Sequence, residues 1–243
     1  RGADATGKAL AEAGRRGETL VIVDAISEDD LFTIGLACDG AKLVTGGSGV
    51  AMGLPANFIR RGLASGKPPR FESVAGPAAI LAGSCSTATR GQIALHAKSH
   101  PVFPIDAEAV VTGKLAPKAV LDFMAGHRED MPLAYSSAAP ADVARLQQRH
   151  GTEKLAAALD GFFADIAENL TKGGVTRLVV AGGETSGAVM GRLGIDAVTI
   201  GPEVDPGVPL LAASGGKRIG LALKSGNFGA EDFFAKAVTM LAQ

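Results

Sequence analysis

Four times in this chain a run of apolar, strand-forming residues stops at a cluster of glycines and small hydroxyl residues, and each time a sequence suited to a helix follows. The stretches are Lys42-Leu-Val-Thr-Gly-Gly-Ser-Gly-Val-Ala51, Ala79-Ile-Leu-Ala-Gly-Ser-Cys-Ser-Thr-Ala88, Arg177-Leu-Val-Val-Ala-Gly-Gly-Glu-Thr-Ser-Gly-Ala188 and Ile219-Gly-Leu-Ala-Leu-Lys-Ser-Gly-Asn-Phe-Gly229. A strand that ends in glycines and opens a helix presents free backbone N–H groups and the positive end of a helix dipole, a means of holding phosphate with few charged side chains. One such loop is weak evidence; four in one chain point to a phosphorylated ligand.

Composition narrows the function classes. The net charge is -1, from 24 Lys plus Arg against 25 Asp plus Glu, so no broad positive field draws in a polyanion. With no Trp and one Tyr, platforms for stacking bases are scarce. A nucleic-acid partner is therefore not expected. No apolar run approaches a bilayer span and no signal-peptide pattern opens the chain, so the expectation is a cytoplasmic protein with no membrane partner. Cys38 and Cys85 are far apart and lack ligand-type spacing, which argues against a disulfide or a zinc site. Cys85 reads as a small packed thiol rather than a nucleophile. His96 and His100 are four apart, but Pro101 follows and no third ligand is evident, so no metal site is expected from His96, His100, His127 or His150.

Arg1 has no preceding Met, and Asp4 to Ala13 already reads as a helix leading into the strand Thr19-Leu-Val-Ile-Val23, as though a domain were entered midway. A fragment of a longer protein is the expectation. Ser27-Glu-Asp-Asp30 supplies a cap and an acidic first turn for a helix to about Cys38, and Leu43-Val44 begins the next strand, a βαβ order that predicts parallel pairing. Residues 61–75, rich in Gly and Pro, read as a connection. A second unit follows: strand Pro77–Ala82, helix Thr87–Ser99, extended Pro101–Ile105, helix Ala116–Gly126, strand Pro132–Ser136 and the amphipathic helix Thr152–Lys172. Then come strand Arg177–Ala181, helix Ser186–Leu193, strand Ala197–Ile200, a hairpin region Gly201–Pro209, strand Ile219–Leu223 and helix Ala230–Leu241. This alternation predicts an α/β fold, with mostly parallel sheets flanked by helices, in two domains of which the first is incomplete.

Each loop has a chemical reading and a bland one. Gly182 and Gly183 let a backbone approach a ligand, Thr185 caps the next helix or binds phosphate, and Glu184 holds a ribose hydroxyl or a magnesium-bound water; alternatively the glycines make a tight turn and Glu184 merely caps the helix. Gly226 and Asn227 suit a positive-φ turn with inward N–H groups, with Lys224 to neutralise phosphate, or else an ordinary turn with a solvated lysine. Ser84 and Ser86 offer hydroxyls at a strand end, or Ser86 or Thr87 caps a helix. No Walker A pattern is present. Thr45-Gly-Gly-Ser-Gly49 comes nearest to a dinucleotide fingerprint, which keeps an NAD-dependent oxidoreductase as a competitor, although no second strand ending in an acidic residue follows.

At these loops the chain also resembles a known family. Gly83-Ser-Cys-Ser86, Ala181-Gly-Gly-Glu-Thr-Ser186 and Ala222-Leu-Lys-Ser-Gly-Asn-Phe-Gly229, in this order and followed by Glu231-Asp-Phe-Phe234, resemble the C-terminal nucleotide-binding domain of the four-carbon acid sugar kinases, which include the 3-oxo-tetronate and threonate kinases. Val23-Asp-Ala25 and Leu43-Val-Thr-Gly-Gly-Ser-Gly49 look like the last strands of the family's substrate-binding domain. The resemblance covers nearly the whole chain. It implies a substrate-domain remnant over 1–60 and a nucleotide domain over 76–243, ATP and Mg2+ as cofactors, a sugar acid as substrate and a homodimer as the assembly. It also implies a nucleotide site of Ser84, Ser86, Gly182, Gly183, Glu184, Thr185, Lys224, Gly226, Asn227 and Gly229, with Gly46, Gly47, Ser48 and Gly49 facing the substrate or the transferred phosphoryl group. No carboxylate is marked as the catalytic base; Asp24 at a strand end reads better as a cap or turn residue, so the base is expected in the family's N-terminal half. A non-catalytic subunit that binds a nucleotide or sugar phosphate is the remaining alternative.

Overall fold

Ser27 followed by Asp30 is the sequence of a reciprocal helix cap, and the fold builds it. The computed structural model describes residues 2–67, 70–214 and 218–243, and the chain divides into two units, Arg1–Pro68 and Pro69–Gln243. The first unit holds helices α1 (Ala3–Arg15), α2 (Glu28–Ala37) and α3 (Leu54–Arg60), with a 3₁₀ turn at Ser48–Gly53. Ser27 Oγ accepts from the Asp30 N–H while the Asp30 carboxylate accepts from the Ser27 N–H, and the Ser27 hydroxyl donating to Asp30 holds that carboxyl below its usual range. Helix α2 crosses the 3₁₀ turn at two glycines: a Cβ on Gly35 would lie 2.4 Å from the Gly53 backbone.

The βαβ pairing expected in this unit is not formed. Among the described residues it contains no β-strand, and Leu20 and Ile22 are 87% and 92% exposed. A strand exists through its ladder partner, and neither Thr19–Val23 nor Leu43–Val44 forms a ladder, although residues of both line one apolar hollow.

The second unit follows the α/β pattern. Its elements are β1 (Ala78–Ala82), α4 (Thr87–His96), β2 (Val102–Pro104), α5 (Ala107–Val111), α6 (Pro117–Gly126), β3 (Leu133–Tyr135), α7 (Pro140–His150), α8 (Thr152–Lys172), β4 (Arg177–Ala181), α9 (Gly183–Leu193), β5 (Val198–Asp205), β6 (Val208–Ala213), β7 (Gly220–Lys224) and α10 (Phe233–Met240). They form a seven-stranded sheet of order β2-β3-β1-β4-β7-β6-β5. The first five strands of that order are parallel, and β6 and β5 close one edge as an antiparallel hairpin.

Central strands β1 and β4 read as uninterrupted apolar runs because both faces are covered. On one face Leu81, Leu178 and Val180 pack with Phe163 and Ile166 of α8, Val120 and Met124 of α6, and Val189 of α9; on the other, Ile80, Val179 and Ala222 pack with Ile93 of α4 and Phe233, Phe234 and Val238 of α10. Helix α8 is fixed by its stripe: Leu155, Phe162, Phe163, Ile166 and Leu170 recur on one side and are buried. Strand β6 carries Pro209, which pairs with β5 and lies one residue before the pairing with β7 begins at Leu210. The ladder accommodates it at an irregularity, since the β5–β6 register shifts on both sides of Glu203, the residue opposite Pro209.

Candidate functional site

Chain order reverses at β1, which has β3 on one side and β4 on the other. In an open α/β sheet such a switch point leaves a crevice beyond the carboxyl ends of the strands. Ala82, Ala181 and Lys224 are in register across β1, β4 and β7, so the three glycine loops leave the sheet at one level. They surround a cleft of about 400 Å3, whose loop side is formed by Gly83, Ser84, Cys85, Gly182, Gly183, Glu184, Thr185 and Gly226. The other side comes from helices: Val143 and Gln147 of α7, and Leu155, Ala156, Leu159 and Asp160 of α8. One end is thus rich in backbone amides and hydroxyls, and the other is a mainly apolar wall that also carries the Gln147 amide, the Thr152 hydroxyl and the Asp160 carboxylate.

The β4 loop is shorter than the sequence suggests. Helix α9 begins at Gly183, three residues before the expected Ser186, so Gly183, Glu184 and Thr185 form its first turn. Gly182 sits at φ 130°, ψ 125°, a conformation open to glycine and to little else. Among the described residues no side chain caps this helix, and none accepts from its leading N–H groups at the cleft wall. Thr185 does not serve as the cap; its buried hydroxyl donates to Asp160 Oδ1 at 3.1 Å. Burial raises the Asp160 pKa above the usual carboxylate range, the Thr185 bond opposes this, and nearby Glu184 adds to it. Glu184 is exposed.

The other two loops are sewn together beneath the cleft. Ser86 Oγ accepts from the Thr89 N–H, the cap of α4, and donates to the Gly226 carbonyl at 2.5 Å. Thr89 Oγ1 donates to the same carbonyl at 3.0 Å. The Gln92 amide nitrogen donates to the carbonyls of Phe228, Gly229 and Ala230 at 3.1, 2.9 and 3.0 Å, and Asp205 Oδ2 accepts from the Ala230 N–H at 3.0 Å. Ser137 Oγ, after β3, donates to the Ser84 carbonyl. Lys224 is only 2% exposed; its ammonium donates to Thr89 Oγ1, Ser225 O and Gly226 O, and burial brings its pKa down to about 8.

Of the residues singled out from sequence, Ser84, Gly182, Gly183, Glu184, Thr185 and Gly226 converge on the cleft wall. Ser86 and Lys224 lie beneath it, in the network that shapes the β7 loop. The expected positive-φ turn at Gly226 and Asn227 does not occur: neither has positive φ, which falls instead on Gly229 at 86°. Gly226 is required for space, because a Cβ there would lie 2.5 Å from Ser84 Oγ. Asn227 is exposed, and Gly229 backs onto Phe233. Gly46, Gly47 and Gly49 belong to the first unit, where they line an apolar hollow with Leu20, Val23 and Leu31; Ser48 opens the 3₁₀ turn. That loop has no ladder strand before it and no α-helix directly after it, so it lacks the βα context of a dinucleotide fingerprint. His96 and His100 stack with centroids 4.5 Å apart and bond the carbonyls of Met131 and Asp130. No group of three potential metal-ligating side chains occurs among the described residues, nor does any helix long and apolar enough to cross a membrane.

Sequence reading missed Asp160, Val143, Gln147, Leu155, Ala156 and Leu159 as cleft residues, and Thr89 and Gln92 as the loop's anchors. Ser86-Thr-Ala-Thr89 carried a usable signal, two hydroxyls three apart at a helix start; the apolar wall carried none, because its residues look like ordinary core.

Residues 79–234 match the model of a nucleotide-binding C-terminal domain family. The chain belongs to this family. It is 43% identical over 244 residues to the 3-oxo-tetronate kinase of Cupriavidus necator, covering 99% of this chain and 56% of that protein. It is 42% identical to the 3-oxo-tetronate kinase of Pseudomonas fluorescens, covering 100% and 56% respectively. The chain thus spans a little over half the length of the curated relatives it matches. Among solved structures, a Haemophilus influenzae protein of the DUF1537 family is 33% identical with a TM-score of 0.73, over 99% of this chain and 58% of that one. A Salmonella typhimurium protein, provisionally described as a tRNA synthase, is 35% identical with a TM-score of 0.77, over 97% and 56%. The resemblance to the four-carbon acid sugar kinases read from the three loops is borne out by these matches.

Proposed function

We propose that this chain carries the nucleotide-binding half of an ATP-dependent kinase that phosphorylates a hydroxyl of a four-carbon sugar acid such as 3-oxo-tetronate or threonate. The observation that carries the reading is the free N-terminus of α9 at the wall of a 400 Å3 cleft, where two other loops end at the same level. Unpaired amides and the dipole favour a polyphosphate there. The wall of Val143, Leu155, Ala156 and Leu159 offers apolar surface of the kind a nucleobase packs against. The names of the curated relatives support the sugar acid as substrate.

Phosphoryl transfer depends on positioning and on neutralising charge across the phosphates. Mg2+ suits this donor set: such sites use one or two carboxylates together with phosphate oxygens and water, and exposed Glu184 stands beside the amide end of the cleft. Bound there, the ion would offset the charge on the phosphates. In this reading the group accepting the hydroxyl proton comes from the part of the family protein that this chain does not span, Gly46, Gly47, Ser48 and Gly49 serve the substrate side, and the protein acts in the cytoplasm as a homodimer.

The test is ATP consumption by the chain combined with the remaining half of the family protein, with the phosphorylated acid followed by ³¹P NMR. Turnover that requires a tetronate or threonate is the expected result. Nucleotide binding without turnover on any acid would favour the non-catalytic subunit.

A further inference from the structure

Lys224 ends β7 as the last residue of a strand in the centre of the sheet, yet its side chain turns inward and is almost wholly buried. The three ammonium protons meet three acceptors: Thr89 Oγ1 at 2.9 Å, Ser225 O at 3.1 Å and Gly226 O at 2.9 Å. No carboxylate pairs with it among the described residues. A buried charge without a counter-charge is costly, and a methionine would fill the same space without that cost, so packing alone does not account for a lysine here.

The geometry of the two carbonyls gives the reason. In a trans peptide the C=O and the following N–H point in opposite directions. With Ser225 O and Gly226 O both drawn in toward Nζ, the N–H groups of Gly226 and Asn227 point away from it, and no protein group accepts from either among the described residues. Gly226 forms part of the cleft wall. The Gly226 carbonyl is held a second and third time by Ser86 and Thr89, which ties this orientation to the β1 loop.

We infer that Lys224 is a positioning residue for phosphate binding: a buried, unpaired ammonium that locks two consecutive carbonyls inward, so that the Gly226 and Asn227 amides are offered to the ligand while the trapped charge lends the loop a positive potential. This rests on the cleft being the nucleotide site. It departs from a lysine that touches phosphate directly, since all three of its protons are already committed inside the protein.

The inference links affinity to pH. Burial has already brought the ammonium down to about 8, and a phosphate bound above the loop favours its charged form, so binding takes up a proton near pH 8 and weakens as pH rises beyond it. The groups facing Nζ contribute no competing titration: α4 presents the Thr89 hydroxyl, β4 presents Ala181 in register, and the β7 loop presents its carbonyls. Asp160, Glu184 and Cys85 are the cleft's other titratable groups, and Cys85→Ala tests whether the thiol has any part in the pH dependence.

The experiment is calorimetric titration of the chain with ADP from pH 6.5 to 9.5, in buffers of different ionisation enthalpy, on wild type, Lys224→Met, Lys224→Arg and Cys85→Ala. Expected is a roughly tenfold loss of wild-type affinity across the range with proton uptake near pH 8; Cys85→Ala, which alters the cleft wall and shifts the absolute affinity, keeps the same relative loss with pH. Lys224→Met should stay folded, bind roughly 10- to 100-fold more weakly at pH 7 and show no pH dependence. Lys224→Arg should recover part of the affinity, also without the pH dependence, because arginine stays charged. Wild-type-like binding by folded Lys224→Met, or a flat wild-type profile, overturns the role of Lys224 while leaving the nucleotide site standing. Absence of ADP binding by wild type at every pH overturns the site and this inference with it.

Discussion

Gly183 is where fold and function separate most cleanly. It is the first residue of α9, its φ is ordinary, and a Cβ built on it meets nothing within 4 Å. Its neighbours behave differently: a Cβ on Gly83 would lie 2.3 Å from Thr185 Oγ1, and one on Gly226 2.5 Å from Ser84 Oγ, so either substitution disturbs the loops themselves. Gly183→Val therefore leaves the fold intact. By helix propensity it even gains a few tenths of a kcal/mol, since valine exceeds glycine within a helix. The new side chain fills open space at the cleft wall and shields the free amides of the first turn. Loss of one hydrogen bond to a charged phosphate oxygen costs about 1.5–3 kcal/mol, or roughly a 10- to 150-fold rise in Kd. Calorimetry with ADP measures the binding, and thermal unfolding without ligand measures the fold. A variant that melts with wild type and binds ADP as tightly would refute the placement of phosphate on α9.

Further predictions follow from the same geometry. Lys224 has a folded pKa near 8 against an unfolded value of 10.5; between those values the unfolded chain holds more protons, so ligand-free stability rises with pH across that window, by at most about 3 kcal/mol. Urea titrations at pH 7 and pH 10 should show this rise for wild type and not for Lys224→Met, in the opposite direction to the pH effect on binding. Burial lifts Asp160 above its usual range, so its ionisation works against the fold as pH rises through the raised value; Asp160→Asn should be as stable as wild type or more so at pH 7, with the difference gone below pH 3.8. Ser86→Ala removes the cap of α4 and one tie to Gly226 O, costing about 1 kcal/mol in denaturant unfolding and weakening ADP binding as well. Phe163→Ala, at the fully buried face of α8, should cost about 3–5 kcal/mol.

The parts of this fold that could be read from sequence are those whose local pattern and tertiary role agree. Helix α8 runs over Thr152–Lys172 as its apolar stripe predicts, and β4 runs over Arg177–Ala181, where the four residues after Arg177 are apolar and buried. The loops were legible because glycines cluster there, two of them, Gly83 and Gly226, where a Cβ has no room and one, Gly182, at positive φ. Other elements depend on partners that local pattern does not encode. Helix α7 is amphipathic but has no buried residue, yet it brings Val143 and Gln147 to the cleft. Strand β6 is disguised by Pro209, which sits opposite a register slip and before the pairing with β7 begins. In the first unit Thr19–Val23 has strand composition but forms no ladder. At the site, glycines and hydroxyls were visible, but their roles were not: whether Lys224 faces a ligand or the protein depends on how two loops from distant parts of the chain meet.

The central claim is that three loops at the switch point of the sheet form a nucleotide site, and titration of the chain with ADP and Mg2+, with NAD as control, tests it most directly. Saturable binding of ADP, abolished or weakened at least tenfold by Gly183→Val and without binding of NAD, is the predicted result. Binding of NAD in preference to ADP, or ADP binding indifferent to Gly183→Val, would contradict the claim.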